Sequence, residues 1–205
     1  MQQDLALQER KKLNIKDKIH INIYEIASVL VTALIAIAFL FTFVFRVVGV
    51  SGISMQPTLN DGDWLIVSAA DFEPEYGQVI IITQPNAYNE PIVKRIIATE
   101  YQTVDINFTT GEVFVDGVVL DEPYINNETT TYEGVEFPLV VPEGYVFVMG
   151  DNRQHSSDSR SPDVGLIDED YILGVVKYKV FSVNEITGAI ELNDFADMPV
   201  DDLQD

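Results

Sequence analysis

An uninterrupted apolar run near the amino terminus constrains this chain more than any other feature. Between Ile26 and Phe45 the sequence IASVLVTALIAIAFLFTFVF contains no charged side chain. As a helix rising about 1.5 Å per residue, the run would span about 30 Å, the thickness of a bilayer core. It is longer than the roughly 7–15 apolar residues of a cleavable signal peptide. It also lacks the polar stripe of an amphipathic core helix. The sequence therefore predicts an uncleaved transmembrane anchor over residues 23–46.

Charge is distributed unequally on the two sides of this run. Five basic residues precede it: Arg10, Lys11, Lys12, Lys16 and Lys18. The positive-inside rule therefore predicts that residues 1–22 are cytoplasmic and that the chain after the run is extracytoplasmic. Residues 47–205 hold 29 acidic and 6 basic side chains, so nucleic acid is not an expected partner. Cysteine is absent, which excludes disulfides and a cysteine nucleophile.

Beyond residue 47 the chain changes to short β-branched runs separated by turn residues. The pattern predicts strands at 64–68, 78–83, 91–99, 103–108, 112–115, 118–120, 145–150 and 171–183. Asp116-Gly117 predicts a two-residue hairpin turn, and the polar segment 100–142 an inserted β-hairpin subdomain. The acidic segment 193–205 predicts a disordered tail. We therefore expect a mainly β fold, with an N-terminal transmembrane helix followed by an antiparallel β-sheet domain over 47–192.

Lys94 is the first candidate for chemistry, because it lies inside an apolar strand. It shares one face of the predicted strand with Ile92 and Ile96. An apolar surrounding disfavours the charged amine and lowers its pKa toward ~7–8, where lysine serves as a general base. Such a base would activate a serine hydroxyl, which is a weak nucleophile alone. The alternative is an edge-strand lysine with a solvated amine.

Ser54 is the candidate nucleophile. It precedes Pro57, which stiffens the following turn, so backbone N–H groups there could face a developing oxyanion. The simpler interpretation is an ordinary turn serine.

A polar segment at 150–160, GDNRQHSSDSR, follows a predicted apolar strand. Asp158 and Arg160 are close enough in sequence to pair, and Asp151 could pair with either arginine of the segment. Ser156 could hydrogen bond to a lysine amine and orient it. The alternative interpretation is a solvated loop.

Together these segments resemble the signature motifs of type I signal peptidases, a family of membrane-anchored serine peptidases. Residues 54–59, Ser-Met-Gln-Pro-Thr-Leu, are similar to the family's serine motif, and 94–97, Lys-Arg-Ile-Ile, to its lysine motif. Residues 150–160 match the last motif, Gly-Asp-Asn-Arg-x-x-Ser-x-Asp-Ser-Arg, at every fixed position. The resemblance covers about residues 24–182. Gly52 and the single anchor resemble members from Gram-positive bacteria.

The resemblance implies a catalytic domain in which Ser54 is the nucleophile and Lys94 the general base. It implies that Ser156 orients the lysine amine, and that three charged residues support this loop: Asp151, Asp158 and Arg160. Substrate-binding positions would be Met55, Ile92 and Val93.

The implied substrates are exported preproteins with signal peptides, cut after small side chains at the surface of the cell membrane. The enzyme would span the lipid bilayer once. No cofactor and no metal are expected, since neither H-E-x-x-H nor an acidic calcium loop occurs. The sequence does not indicate an oligomeric state.

One departure from the family pattern follows the lysine motif. The family usually continues Gly-Leu-Pro-Gly-Asp, whereas residues 98–102 are Ala-Thr-Glu-Tyr-Gln, so the turn beyond Lys94 is expected to differ.

Two alternatives to the Ser–Lys peptidase remain. A Ser-His-Asp hydrolase would use His155 and Asp158, although the G-x-S-x-G elbow is missing. A catalytically inactive signal-peptidase-like protein would act in surface-protein assembly without cleaving anything.

Overall fold

The computed structural model describes residues 22–39, 45–69, 73–85, 90–183 and 190–197. The chain divides into two compact units, residues 1–44 and 45–205. The first contains helix α1, Asn22–Phe39, which is the one helix of the described residues long and apolar enough to cross a membrane. The predicted anchor extends too far, because Phe45–Gly49 form a strand. β-Branched Val47 and Val48 favour that conformation, which an apolar run alone does not distinguish from helix.

The described part of the second unit contains twelve strands and one turn of 3-10 helix. In chain order they are β1 Phe45–Gly49, β2 Trp64–Ser68, β3 Val79–Ile82, β4 Ile92–Ala98, β5 Thr103–Asn107, β6 Glu112–Val115, β7 Val118–Val119, β8 Leu139–Val140, β9 Tyr145–Met149, β10 Ile167–Asp168, η1 Glu169–Tyr171, β11 Ile172–Val183 and β12 Ile190–Asp197.

Two antiparallel sheets organise these strands. The larger has the order β1-β2-β11-β3-β4-β9-β10, with β12 also paired to β11. The smaller has the order β7-β6-β5-β8 and is inserted between β4 and β9. Its hairpin turns at Asp116 and Gly117, both in the left-handed backbone region that this turn requires. The predicted mainly β fold with an inserted hairpin subdomain is confirmed.

The acidic carboxyl-terminal segment differs from its prediction as a disordered tail. Strand β12 includes residues 193–197 and pairs with the long strand β11, with Leu192 opposite Phe181. The composition is acidic, but β11 offers an edge along which any extended segment gains backbone hydrogen bonds. Residues 198–205 and most of the predicted cytoplasmic segment lie outside the described residues.

The apolar residues form clusters beneath the strands that bear the candidate site. Met55 and Leu59 are buried against β2 and β3, which anchors the turn that follows Ser54. Ile80 and Ile96 belong to a second cluster, on the face of β3 and β4 that also bears Lys94. Each fully buried aliphatic side chain contributes roughly 1.5–3 kcal/mol, so both segments have firm supports.

Candidate active site

Ser54 and Lys94 meet although 40 positions separate them in the chain. The Lys94 Nζ lies 2.8 Å from the Ser54 Oγ and donates a second hydrogen bond, of 3.1 Å, to the Val93 carbonyl oxygen. The first contact joins the turn after β1 to the middle of β4. A nucleophile and a base within hydrogen-bond reach are the first geometric requirement for an activated serine.

Lys94 is buried, with 3% of its surface exposed. Ile80 lies directly opposite it on β3 and is also fully buried. Burial lowers the pKa of Lys94 from 10.5 to about 8, while the charges of Asp158, Asp151 and Glu133 oppose the shift and that of Arg160 adds to it. Within the described residues, Lys94 forms no ion pair with a carboxylate. The amine is therefore close to losing its proton at neutral pH.

Asn152 holds the backbone on both sides of the Ser54 nitrogen. Its backbone N–H donates to the Ser54 carbonyl oxygen at 3.0 Å, and its side-chain amide donates to the Ile53 carbonyl oxygen at 3.1 Å. The sequence interpretation did not assign Asn152 a role, although it occupies a fixed position of the last motif. The two bonds fix the Ser54 backbone relative to the loop that follows β9.

Asp151 connects the serine turn to β4 through side-chain hydrogen bonds. It accepts bonds of 2.8 and 2.7 Å from the Arg95 guanidinium, and both side chains are fully buried. The Thr58 hydroxyl also donates to Asp151. The Arg95 guanidinium lies 4.0 Å from the centroid of the Tyr124 ring, which covers its face. Asp151 therefore pairs with Arg95 and not, as expected from the sequence, with either arginine of its own segment; neither Arg95 nor Thr58 was singled out from the sequence.

Ser156, Asp158 and Arg160 form a second buried cluster. The Ser156 hydroxyl donates to Asp158 at 2.8 Å, and Arg160 contacts both carboxylate oxygens of Asp158, at 2.8 and 2.9 Å. Burial alone would raise the pKa of Asp158, but the bonds from Arg160, Gly150 and Ser156 keep it below its ordinary value. Asp158 is therefore ionised at neutral pH, and its charge acts on the lysine.

The Ser156 hydroxyl has a partner that the sequence did not identify. Its proton is directed to Asp158 rather than to the lysine. The hydroxyl lone pairs remain as acceptors, so orientation of the Lys94 amine by Ser156 stays a prediction. The close approach of Ser156 to the serine turn depends on Gly150, where a Cβ would lie 2.2 Å from the Ser156 Oγ and 2.4 Å from the Ser54 carbonyl oxygen.

The amide of Gly52 is not free to receive an oxyanion. It donates to the Asp61 carboxylate at 2.7 Å, and Gly52 has φ 95°, a region where glycine is favoured. Within the described residues, no hydrogen bond from the Ser54 amide is found. The Ser54 N–H is thus an available donor at this turn.

A cavity of about 380 Å³ opens beside the two groups. Its lining includes Ser54, Lys94 and the three predicted substrate-binding residues, which are Met55, Ile92 and Val93. The structure brings all of them together, since the segment before Ser54 and the first half of β4 form opposite walls.

The backbone of Val93 faces this cavity. The N–H and C=O of Ile96 both form hydrogen bonds with the segment just before β3, so they face β3. Successive residues of a strand direct these groups to opposite sides, so the Val93 N–H and C=O, three residues earlier, face away from β3. On that side β9 pairs with β4 only from Arg95 onward. Among the described strands, the first half of β4 therefore has no partner on that side, and it lines the cavity.

His155 is exposed and takes no part in this arrangement. Its Nδ1 lies 3.3 Å from the Asn152 side-chain oxygen, and Asp158 is occupied by Arg160. His155 does not line the cavity. The geometry gives a Ser-His-Asp triad no support.

The unusual turn after β4 is closed by its own residues. The Gln102 side-chain oxygen accepts bonds from the backbone N–H and the hydroxyl of Thr99. Tyr101 stands where the family usually has its second glycine and adopts the left-handed backbone, with φ 66°. A left-handed backbone at a non-glycine residue costs about 1–2 kcal/mol. The turn is also tied to the segment after β8, because the Tyr101 N–H donates to the Val141 carbonyl oxygen at 2.8 Å.

Comparison with known proteins agrees with the geometry. The family model described as "Signal peptidase, peptidase S26" matches residues 23–181. Signal peptidase I of Bacillus licheniformis is 34% identical over 188 residues, which cover 87% of this chain and 97% of the relative. Signal peptidase I T of Bacillus subtilis (strain 168) is 38% identical, covering 70% and 78%. Signal peptidase IB of Staphylococcus aureus (strain COL) is 33% identical, covering 74% and 88%. The chain therefore belongs to the peptidase S26 family of signal peptidases.

Proposed function

We propose that the chain is a membrane-bound serine endopeptidase that removes N-terminal signal peptides from exported preproteins with a Ser54–Lys94 dyad. The observation that carries the proposal is the 2.8 Å contact between the Ser54 hydroxyl and a buried lysine amine. A neutral amine at this distance is placed to accept the serine proton, which a solvated lysine at neutral pH cannot do.

The reaction follows from the two groups. Lys94 accepts the proton of Ser54 while the serine oxygen attacks the carbonyl carbon of the scissile peptide. The Ser54 N–H stabilises the resulting oxyanion. The tetrahedral intermediate then breaks its C–N bond, and Lys94 gives the proton to the departing amine. The acyl part of the substrate remains as an ester on Ser54. Lys94 then takes a proton from water, the hydroxide hydrolyses the ester, and the proton returns to Ser54.

The cavity supports an extended substrate. A preprotein segment would add as a strand to the open edge at Val93, the β-augmentation mode of peptide recognition. Its side chains before the cut would enter the apolar space lined by Met55 and Ile92. Signal peptides carry small residues in an A-x-A pattern there.

The anchor places the reaction at the bilayer. Helix α1 would be about 27 Å long at 1.5 Å per residue, close to the thickness of the hydrocarbon core. The basic residues before it favour a single-pass topology with a cytoplasmic amino terminus and an extracytoplasmic catalytic domain. Tethering would raise the local concentration of signal peptides, which lie in the same membrane.

Cleavage of a purified preprotein by the full chain in detergent micelles tests the proposal. The wild type is expected to cut after a small residue, and Ser54→Ala and Lys94→Ala to lose roughly 10³-fold or more of kcat/KM. Ser157→Ala and Lys177→Ala are matched controls that remove the same groups elsewhere, and both are expected to retain activity.

The outcomes separate the two remaining functions. Loss in the dyad variants but not in the controls supports the peptidase. A correctly folded wild type that leaves several preproteins intact would instead favour the inactive signal-peptidase-like protein in surface-protein assembly.

A further inference from the structure

Glu133, in the inserted segment between β7 and β8, reaches the charge cluster behind the dyad. Its Oε1 lies 3.1 Å from the Arg160 Nη2, and its side chain is 17% exposed. The backbone two residues further on is bonded to the same arginine, because the Val135 N–H donates to the Arg160 carbonyl oxygen at 3.1 Å. The sequence interpretation gave this residue no role.

Arg160 is shared between two carboxylates. Asp158 receives its Nε and Nη2, and Glu133 pairs with the same Nη2. The Arg160 Nη1 is buried without a hydrogen-bond partner in the described part of the chain. A guanidinium whose donors are only partly satisfied by Asp158 gains from a second carboxylate. The inserted subdomain therefore contributes a charge to the cluster.

The groups facing Lys94 come from three segments: Asp151, Asp158 and Arg160 from the loop after β9, Glu133 from the insertion, and Ser54 from the turn after β1. Of the carboxylates, Asp151 and Asp158 are each held by an arginine through two bonds, and the pKa of Asp158 lies below its ordinary value. Glu133 is different. Burial raises the pKa of Glu133 to about 7. The positive charge of Arg160 opposes this increase, but the negative charge of Asp158, which already pairs with Arg160, adds to it. Glu133 is thus the variable charge near the lysine.

We propose that Glu133 is a positioning residue of the active site that shares Arg160 with Asp158 and, by gaining or losing its own charge, sets how readily Lys94 gives up its proton. The inference rests on the proposed Ser–Lys function and deepens it. As pH rises, Glu133 becomes an anion in the same range in which Lys94 becomes neutral. The negative charge of Glu133 stabilises the protonated form of Lys94 and so raises the pKa of the lysine. The charge of each group therefore shifts the titration of the other.

The coupling has a signature that a purely structural role lacks. In the wild type, kcat/KM should rise with pH less steeply than a curve for the loss of a single proton. The reason is that the pKa of Lys94 itself increases as more of Glu133 ionises. In Glu133→Gln the side chain is neutral at every pH. The rise should then follow one proton, with its midpoint lower by roughly half a pH unit, the effect of one partly screened charge. The two curves should converge in acid, where Glu133 is protonated.

The experiment compares pH profiles of kcat/KM for full-length wild type, Glu133→Gln, Glu133→Asp and Glu136→Gln in micelles. Glu136→Gln removes the same charge from an exposed position three residues away and serves as the matched control. We expect Glu133→Gln to be roughly two- to threefold faster than wild type near pH 7.5, the factor given by half a unit. Glu133→Asp should restore the shallow rise, and Glu136→Gln should superimpose on the wild type.

A Glu133→Gln profile identical to the wild type, with Ser54→Ala still inactive, overturns the inference and leaves the proposed function intact. An inactive wild type overturns the proposed function, and the role of Glu133 is then decided by NMR titration of ¹³Cε-labelled lysine. The Lys94 resonance is assigned by its absence from Lys94→Ala. A lower and steeper Lys94 titration in Glu133→Gln supports the coupling, and an unchanged one refutes it.

Discussion

Replacing Lys94 by methionine tests the buried amine through stability rather than activity. The substitution keeps an unbranched apolar stem and removes the charge. The pKa of Lys94 falls from 10.5 to about 8 on folding, because burial disfavours the cation. Each unit corresponds to about 1.4 kcal/mol, so the charged amine destabilises the folded chain by about 3 kcal/mol. With 3% of Lys94 exposed, solvent screening reduces this little.

The sign of the pH dependence follows from the pH at which Lys94 releases its proton in the folded and in the unfolded chain. The unfolded chain keeps the lysine proton up to its pKa of 10.5, whereas the folded chain releases it near 8. Between these values the unfolded state binds more protons, so the contribution of Lys94 to the free energy of unfolding rises with pH. Below pH 8 the full penalty is present. Lys94→Met should therefore be more stable than the wild type near pH 6, and the difference should shrink by nearly 3 kcal/mol by about pH 10.

Urea unfolding of the full chain in micelles measures this difference. Trp64 is the single tryptophan and lies in β2, so its fluorescence reports the β unit. Subtracting the wild-type free energy at each pH removes the contributions of other titrating groups. Lys177→Met is the control, since Lys177 is exposed on β11. A difference between Lys94→Met and wild type that stays flat from pH 6 to 10 would refute the depressed pKa, and with it the physical basis for the base.

Four further outcomes are expected. The kcat/KM of the wild type should rise with pH through about 8, where the buried lysine becomes neutral. Asp151→Asn leaves Arg95 buried without a carboxylate and should cost about 3–5 kcal/mol in urea unfolding. Gly150→Ala places a Cβ 2.4 Å from the Ser54 carbonyl oxygen, so the turn must shift and kcat should fall roughly tenfold or more. His155→Ala should keep its kcat/KM, since His155 lies outside the cavity.

Each of these has a contrary result. An activity that rises near pH 4 would assign the base to a carboxylate. Asp163→Asn, at an exposed position, should change the free energy of unfolding by less than about 0.5 kcal/mol. If Asp151→Asn had an equally small effect, the buried ion pair would not stabilise the fold. Full activity in Gly150→Ala would mean that the serine turn tolerates displacement. Large loss in His155→Ala would revive the histidine triad.

Local patterns predicted most of the strands because strand signals are themselves local. Strands β2 and β6 have the predicted bounds, since alternating side chains and turn residues mark both ends. Strand β8, with two residues, was not predicted, because it forms only by pairing with β5. Strand β12 was likewise missed, since its acidic sequence is extended only by the partner edge that β11 supplies.

The candidate site was predictable to the extent that its residues fall in recognisable motifs. Ser54 and Lys94 were identified, but their contact depends on the pairing of β3 with β4 and on the loop after β9. Asn152 was present in a quoted motif without a role, because its two bonds run to backbone atoms that no sequence pattern specifies. Glu133 lies in no motif, and only the fold of the insertion places it beside Arg160.

Four basic side chains are buried in the described part of the second unit, and their partners explain why one of them is chemically distinct. Arg95 pairs with Asp151, Arg153 with Glu122 and Arg160 with Asp158, so each guanidinium has a carboxylate in direct contact. Lys94 has a serine hydroxyl and a carbonyl oxygen instead. Arginine keeps its charge in any protein environment, whereas an unpaired lysine gives up its proton when it is desolvated. The arginine pairs therefore hold the site together. Lys94 is the one of these four side chains without a direct counterion, and it is the group that we propose as the general base.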